Sequence, residues 1–485
     1  MFKIFTNNFT YVSVCNILIS TKAILKFQTL RKEKTMNGKY KTRIGMALAY
    51  MGGSPIFLII SSYLVYFYTN VVGLNAGVIG TIMLVSRALD GVSDLVFGNV
   101  IDKTRTKMGV CRPWVFRMSI FGLIGIVSLF AVPKMGISAQ YVYVFVSYNV
   151  ANAIIATLYQ MAIISLPTYL TRDQNERGIL YIWANTGQFV TQFILSTFMF
   201  TVVTSLGGDQ KAWLIVTGAI AFVGMLLTFI CVALCKETVD PDEIAKNEGT
   251  EAKVPVLQAL KAVFSNKYWW MIFGFVTLGT AVYMGTAMIT PYYAQYVLGD
   301  TTKADVLNSF FAFPMMIMTP FLGFVIAKVG KRNIALFGAC TIAVGSIVAT
   351  LAGASLPLLC LAQVLKSVGV GCPTAVYAAM LADAIEYGQW KTGIRTQAMI
   401  IGAQSAGGKL GSGLITTAMT WIMAAVGFNG MVEIQSAETV AAIQKLYSIL
   451  PLALAACMAI ILFLYDLDKR YPQIMADLKS RANEQ

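Results

Sequence analysis

Long apolar segments separated by short polar loops dominate the pattern of this chain. Each segment is long enough to cross a bilayer as a helix, which takes about 20 residues. Gly, Ser, Thr and Pro interrupt many of the segments, as in membrane helices that pack against one another. The pattern predicts an all-α membrane protein with twelve transmembrane helices. The segments are 44–70, 76–101, 112–133, 138–168, 178–205, 211–235, 268–297, 303–328, 332–353, 357–383, 396–427 and 441–466.

A charged break with two prolines, residues 236–267, divides the twelve segments into two groups of six. We therefore predict an amino-terminal six-helix bundle at 41–235 and a carboxyl-terminal six-helix bundle at 268–466. The break between them is predicted to be a cytoplasmic linker, and residues 467–485 a cytoplasmic tail. Two bundles of this kind can rock about a binding site near the middle of the membrane.

The amino-terminal extension, residues 1–40, does not fit the pattern. Its apolar stretch FTNNFTYVSVCNILIS is too short to span a membrane and has lysines on both sides. A signal-like segment, an amphipathic arm and translated upstream sequence all fit these features. We favour the last, with Met36 as the native start, because MNGKYKTRIG suits the cytoplasmic start of a first membrane helix.

Composition agrees with a chain whose solvent is mostly lipid. Hydrophobic residues make up 57% of the chain and charged residues only 12%, whereas soluble domains carry about 25% charged residues. A net charge of +14 can indicate a nucleic-acid partner. Here the basic residues lie between apolar segments, which is the pattern that orients membrane proteins. We therefore expect membrane lipid and not nucleic acid as the partner.

The basic residues follow the even-numbered segments, whereas the opposite loops carry few positive charges. By the positive-inside rule we expect both termini to be cytoplasmic, and we expect the chain to lie in the cell inner membrane. The basic loop residues are Lys103, Arg105, Lys107, Arg112, Arg117, Arg172, Arg177, Lys328, Lys331, Arg332, Lys391 and Arg395.

Catalytic and metal chemistry find little support in the sequence. There is no histidine, and the 8 cysteines include no CxxC pair, so we interpret the cysteines as apolar fillers. No nucleophile–base pair or metal cluster is visible. We predict that the chain is not an enzyme, has no cofactor beyond a coupling cation, and needs no more than a monomer.

Three charges inside the second segment are the main candidate site. Arg87, Asp90 and Asp94 are spaced at i, i+3 and i+7 and share one helical face. Charged groups within a bilayer are costly and face the protein interior or a wet cavity. Two carboxylates and one guanidinium leave a net charge of −1, which Na⁺ or a proton would neutralise. A purely structural ion-pair network is the alternative.

Lys409 is a second buried charge, within the glycine-rich stretch AQSAGGKLGSGLI. A lysine at this depth needs an acidic partner, and Asp90 or Asp94 is the candidate. A lysine that competes with a cation for the same carboxylates would couple cation binding to transport. A structural salt bridge remains the alternative.

Polar stripes on the fourth and fifth segments predict a path for a small polar solute. Amides hydrogen-bond hydroxyl groups and aromatic rings cover the apolar face of a sugar, although amides also link helices where no solute binds. The residues are Asn149, Asn152, Tyr159, Gln160, Trp183, Asn185, Gln188 and Gln192.

Two blocks carry a family resemblance. RALDGVSDLVFGNVIDKTRTKMGVCRPW and LADAIEYGQWKTGIRTQAMIIGAQSAGGKLGSG resemble the glycoside–pentoside–hexuronide:cation symporters, which include the melibiose permease and belong to the major facilitator superfamily. The resemblance extends from about Lys41 to Tyr465. It implies the major facilitator fold, with twelve helices in two six-helix bundles.

The resemblance also implies roles by position. Asp90 and Asp94 match the cation-site aspartates of the family, where Na⁺ or H⁺ binds. Arg87 and Lys409 match charged residues that neighbour that site and contribute to coupling. Residues that match the cytoplasmic gate are Arg105, Arg112, Asp383, Glu386 and Arg395.

Positions that hold the sugar in the melibiose permease are substituted here. Acidic residues of that site correspond to Ser54 and Tyr159, an arginine to Ala184, beside Trp183, and a tryptophan to Thr374. Ile163 replaces an aromatic residue. We predict a cation-coupled symporter of a sugar, glycoside or uronide, with Ser54 and Thr374 added to the polar stripes as solute-binding residues. A symporter of a non-sugar polar solute and a non-transporting solute sensor are the alternatives.

Overall fold

The computed structural model describes residues 38–239, 256–394 and 397–483, and these residues are almost entirely helical. Residues 1–37 of the amino-terminal extension and the predicted gate residue Arg395 therefore lie outside the described residues. The helices are α1 (Gly38–Val71), α2 (Ala76–Asp102), α3 (Arg112–Phe130), α4 (Ile137–Leu170), α5 (Gln174–Ser205), α6 (Gln210–Leu234), α7 (Val256–Phe264), α8 (Lys267–Tyr296), α9 (Lys303–Val329), α10 (Lys331–Ala352), α11 (Leu356–Thr392), α12 (Gln397–Ala425), α13 (Ala437–Leu464) and α14 (Leu467–Asn483).

The long helices coincide with the predicted segments to within a few residues at most ends. Within the described residues, 9 helices are long and apolar enough to cross a membrane. The helices α2, α9 and α12, of 27, 27 and 29 residues, lie at the positions of three further predicted segments. We call α1–α6 the first half and α8–α13 the second half. The largest difference is at α11, which continues nine residues past its predicted end at 383.

Local chemistry explains several of these boundaries. Asp173 and Asp209 cap α5 and α6 by accepting the backbone N–H groups of Asn175 and Ala212. Only Gly330 separates α9 from α10, and its φ of 88° lies in the left-handed region that glycine tolerates. The chain can therefore reverse direction there within one residue.

The predicted linker and tail contain helices of their own. Helix α7 lies within the predicted linker, and α14 forms most of the predicted tail. The linker is anchored at its start, because the carboxylate of Glu237 accepts the backbone N–H groups of Val110, Cys111 and Arg112 at 2.6–2.9 Å. A carboxylate at this position stabilises the amino terminus of α3.

Helices α1 and α6 cross so closely that only glycine fits at the contact. A Cβ atom at Gly52 would lie 2.4 Å from the carbonyl oxygen of Gly224, and a Cβ at Gly224 would lie 2.6 Å from that of Gly52. Backbone atoms on both sides leave no flexible group that could yield. The crossing therefore fixes the packing of the first half.

We expect Gly52→Ala to lower the unfolding free energy by about 1–3 kcal/mol, because the added methyl group overpacks a backbone contact. Thermal unfolding of the purified protein in detergent measures the change. Gly218→Ala on α6 is the matched control, since its nearest neighbour to a new Cβ is Val127 at 3.7 Å. Equal melting temperatures for the two variants would contradict the expectation.

Lys366 of α11 is fully buried within the second half, so its charged end does not reach the surface of the membrane. Its ammonium donates to the carbonyl oxygen of Tyr447 at 2.8 Å and lies 4.2 Å from the centre of the Tyr447 ring. That carbonyl is four residues before Pro451 of α13, which has no N–H to offer it. Lys366 thus satisfies a carbonyl that the proline leaves without its helical donor.

Candidate coupling site and the space between the halves

The two halves meet at the end of the bundle away from the basic loops, which we call the far end. There Asn70 of α1 donates to Gln295 and Tyr296 of α8 at 2.7 and 2.8 Å. Tyr66 donates to Gln295 at 2.7 Å. These bonds join the last turns of the two helices and close the far end.

Asp305 provides a second link at the far end. This residue of α9 is 2% exposed, and its carboxylate accepts the backbone N–H groups of Phe200 and Thr201 at 3.0 and 2.7 Å. The Thr201 hydroxyl donates to it at 2.8 Å. A charged acceptor with three donors from α5 holds the halves together there.

At the opposite, basic end, Arg112 bonds within the first half. Its guanidinium donates to the carbonyl oxygen of Val232 at 2.5 and 3.2 Å, which ties α3 to the end of α6. Arg105 donates to the carbonyl oxygen of Thr104 at 3.1 Å. Arg112 therefore braces its own half in this conformation.

The gate candidates of the second half bond to residues of the second half and of α14. The carboxylate of Asp383 on α11 accepts hydrogen bonds from the Lys331 ammonium at 2.5–2.7 Å. The carboxylate of Glu386 accepts one from the Tyr471 hydroxyl of α14. A gate that closes between the halves would need these partners to exchange. Their role as a cytoplasmic gate stays a prediction.

Asp90 is the centre of a polar cluster on α2. It is 2% exposed, and its Oδ2 accepts the Arg87 guanidinium at 3.3 Å and the Asn152 amide at 2.8 Å. Asn152 belongs to a π-helical stretch of α4, Asn149–Ala156. The shared helical face thus brings Arg87 and Asp90 into contact, and α4 contributes to the cluster.

Asn149 extends this cluster by one turn. Its amide donates to Ser86 of α2 at 2.9 Å, and its buried Oδ1 has no hydrogen-bond partner among the side chains that the structure describes. Amide oxygens of this type are among the ligands that hard cations prefer. The side chain of Asp94 lies outside the described residues, so its place in the cation site stays a prediction.

Helix α12 of the second half packs against α2. A Cβ at Gly413 would lie 2.8 Å from Cγ of Arg87, so the missing side chain leaves room for the arginine. Thr417, one turn on, donates to the carbonyl oxygen of Gly80 at 3.2 Å. Lys409 lies one turn before Gly413 and therefore shares the face of α12 that meets α2.

We expect Gly413→Ala to reduce gradient-driven solute accumulation at least about fivefold, because the new methyl group displaces Arg87 from Asp90. Uptake into proteoliposomes measures the effect. Gly402→Ala on the same helix is the control, since no heavy atom lies within 4 Å of a Cβ placed there. Wild-type accumulation by Gly413→Ala would count against a role for the Arg87 position.

The amide stripe of α5 faces the second half. Gln192 donates to the hydroxyl of Tyr283 on α8 at 2.6 Å. Gln188 and Asn185 lie one and two turns closer to the basic end on the same face, and Asn185 is exposed. This stripe therefore borders the space between the halves.

Two predicted solute-binding residues lie away from that space. Tyr159 is 3% exposed, and its hydroxyl bonds to the Ala49 carbonyl at 2.8 Å and to Thr228 at 3.1 Å, so it packs inside the first half. Trp183 is nine residues from Gln192, or two and a half turns, and lies on the opposite face of α5. These placements speak against the predicted contact of either residue with a solute.

The other predicted solute-binding residues have mixed surroundings. Ser54 of α1 has a buried hydroxyl that finds no hydrogen-bond partner in the described part of the chain. Thr374 of α11 is exposed and donates to the Val370 carbonyl at 2.8 Å. Gln160 of α4 is exposed. Ser54 is therefore the strongest of these three candidates for a solute contact.

Sequence reasoning missed the residues that close the far end. Asp305 follows the turn LGDTTKA, where an acidic residue in a first helical turn also has the ordinary interpretation of a favourable charge at a helix amino terminus. Gln295 and Asn70 are single amides at the ends of apolar segments. Only their pairing across the two halves distinguishes them.

Comparisons with known proteins agree on one class. The family described as MFS/sugar transport protein matches residues 39–469. The isoprimeverose transporter of Lactiplantibacillus pentosus is 28% identical over 454 residues, covering 91% of this chain and 92% of that protein. A putative glycoside/cation symporter of Escherichia coli (strain K12) is 24% identical over 450 residues, covering 91% of this chain and 95% of that protein.

A similar solved structure is the bacterial homologue of the human lysosomal transporter Spinster, in an inward-facing and unoccupied conformation. It has a TM-score of 0.64 and 14% identity, and the match covers 90% of this chain and 98% of that chain. At this identity the likeness concerns the fold alone.

Proposed function

Because this chain belongs to the MFS/sugar transport protein family, we propose that it carries a sugar or glycoside across the membrane by cation-coupled symport. The predicted family and the all-α major facilitator fold class are confirmed, whereas the count of twelve membrane helices stays a prediction. The chain is a multi-pass membrane transport protein and not an enzyme.

The sugar part of the proposal is supported by the relatives. The names of two similar proteins refer to isoprimeverose and to glycosides. The exposed Asn185 and the half-buried Gln188 along the space between the halves suit a hydroxylated solute, because amides both donate to and accept from hydroxyl groups.

The coupling part rests on one observation, the buried carboxylate of Asp90 against Arg87 on the face of α2 that meets α12. With Asp94 the cluster has a net charge of −1, and enclosing an uncompensated charge is costly. A bound Na⁺ or H⁺ removes that charge and lowers the cost of closing the halves around solute. Lys409 lies on the face of α12 that meets α2. It competes with the cation for the carboxylates and pairs with them when the cation is absent.

The conformation suggests how access alternates. The far end is closed by contacts between the halves, whereas Arg112 and Asp383 at the basic end bond within their own halves. In the proposed topology the chain lies in the inner membrane, with the basic end and both termini on the cytoplasmic side. A closed far end then corresponds to an inward-facing conformation. Rocking of the halves would open the far end and close the basic one.

Uptake by proteoliposomes tests the proposal. A panel of pentosides, hexosides and uronides is offered under an imposed Na⁺ gradient and, separately, an imposed proton gradient. We expect accumulation of at least one uncharged sugar or glycoside above its external concentration under one of the gradients. Binding without flux would favour the sensor alternative, and accumulation of only non-sugar solutes would contradict the sugar assignment.

A further inference from the structure

A small cavity lies between the halves next to the closed far end. It has a volume of about 20 Å³. Both halves line it: α1 and α5 on one side, α8 and α9 on the other. The lining residues that matter below are Ser62, Tyr63, Gln192, Ser196, Thr286 and Asn308.

Two hydroxyl groups in this lining have no hydrogen-bond partner among the residues that the structure describes. Ser62 and Thr286 are 4% and 1% exposed, and the oxygen of each is buried and unpaired. The Tyr63 hydroxyl, on a side chain that is 1% exposed, lies within hydrogen-bonding reach of Asn308 and Ser196 in the same lining. Leaving a buried polar group unpaired is costly, and native proteins rarely do so without a functional reason. Two in one cavity indicate a place that a hydrogen-bonding group occupies during the working cycle.

The lining is uncharged. The nearest acidic residue along the chain is Asp305, one turn from Asn308, and three donors from Phe200 and Thr201 already engage its carboxylate. An ionised group in the cavity would therefore be buried without a counter-charge, which is strongly unfavourable. Hydroxyl groups both donate and accept, and they match the serine, threonine, tyrosine and amide groups present.

We infer that this cavity is a subsite for an uncharged, hydroxyl-bearing end of the transported solute, an inference that rests on the proposed sugar transport. Its volume is that of one water-sized group, so it accepts a single hydroxyl or hydroxymethyl group and not a whole ring. Water occupies it when solute is absent. Because the lining comes from both halves, a hydroxyl held there favours the closed far end.

The test removes single hydroxyls and measures the KM of uptake for a transported sugar and for its monodeoxy analogues. Thr286→Val and Tyr63→Phe keep the shape of each side chain. Thr290→Val on α8 and Tyr68→Phe on α1 are the matched controls: both are buried, and neither lines the cavity.

We expect each cavity variant to raise the KM for the parent sugar roughly three- to tenfold, the value of one neutral hydrogen bond. The controls should change it less than twofold. For the analogue that lacks the hydroxyl bound here, the cavity variants should have little further effect, because the two losses concern one bond. If one of these cavity variants does not fold into the membrane, Ser62→Ala is tested in its place.

An unchanged KM in the cavity variants of a working transporter would overturn the subsite alone and leave the cavity as a site for water only. An equal loss for every deoxy analogue would do the same. Absence of sugar uptake by the unmodified protein under either gradient would overturn both the proposed function and the subsite.

Discussion

Replacing Asp90 by asparagine is expected to abolish gradient-driven accumulation and to leave only equilibration of the solute across the membrane. The substitution keeps the size of the side chain and removes its negative charge. Arg87, 3.3 Å from the carboxylate, then has no counter-charge in Asp90, and a cation loses a ligand. Uptake with and without the coupling gradient, together with solute exchange at equal concentrations, measures the change.

Asp173→Asn is the matched control for this substitution. Asp173 is an exposed helix cap of α5, and asparagine caps a helix as well as aspartate does. Exchange that continues in Asp90→Asn would show that the protein is folded and that only coupling is lost. Undiminished uphill uptake by Asp90→Asn would contradict the role of Asp90 in the cation site.

Replacing Asp305 by asparagine is expected to shift the protein toward states that are open at the far end. The change removes the charge that three donors from Phe200 and Thr201 share. A hydrogen bond to a charged group contributes about 1.5–3 kcal/mol, so the shift corresponds to roughly ten- to 100-fold. The rate at which an impermeant thiol reagent, added from outside, labels a cysteine at Ala287 measures it.

Asp300→Asn is the control for the Asp305 substitution. Asp300 lies in the same loop region but is exposed, and its carboxylate bonds only to Thr302 nearby. Labelling at the parent rate in Asp305→Asn would mean that this carboxylate does not hold the far end closed.

The fold was largely predictable from the sequence because the hydrophobic thickness of the bilayer determines the length of each apolar segment. Helix α11 shows where this argument stops. Its last nine residues, through Thr392, are polar enough to leave the membrane but contain no proline, so the helix continues until Gly393 ends it in a left-handed conformation. Hydropathy therefore indicates which residues lie within the bilayer, but it does not indicate where a helix ends.

The candidate site was predictable only in part. The spacing of Arg87 and Asp90 placed them on one face, because helical periodicity is a local property. The bond from Asn152 to Asp90 depends on how α4 packs against α2, which no local pattern contains. Trp183 illustrates the reverse: its residue type suits a sugar, but its position on α5 turns it away from the space between the halves.

Lys366 and Pro451 impose an order on the substitutions that could have produced this chain. A carbonyl oxygen can accept two hydrogen bonds, so a lysine at 366 is compatible with any residue at 451. The reverse does not hold, because a proline at 451 without a donor at 366 leaves the Tyr447 carbonyl unpaired in a dry interior. A donor at 366 is therefore needed before the proline or together with it, and once the proline is in place that donor cannot be lost without leaving the carbonyl unpaired.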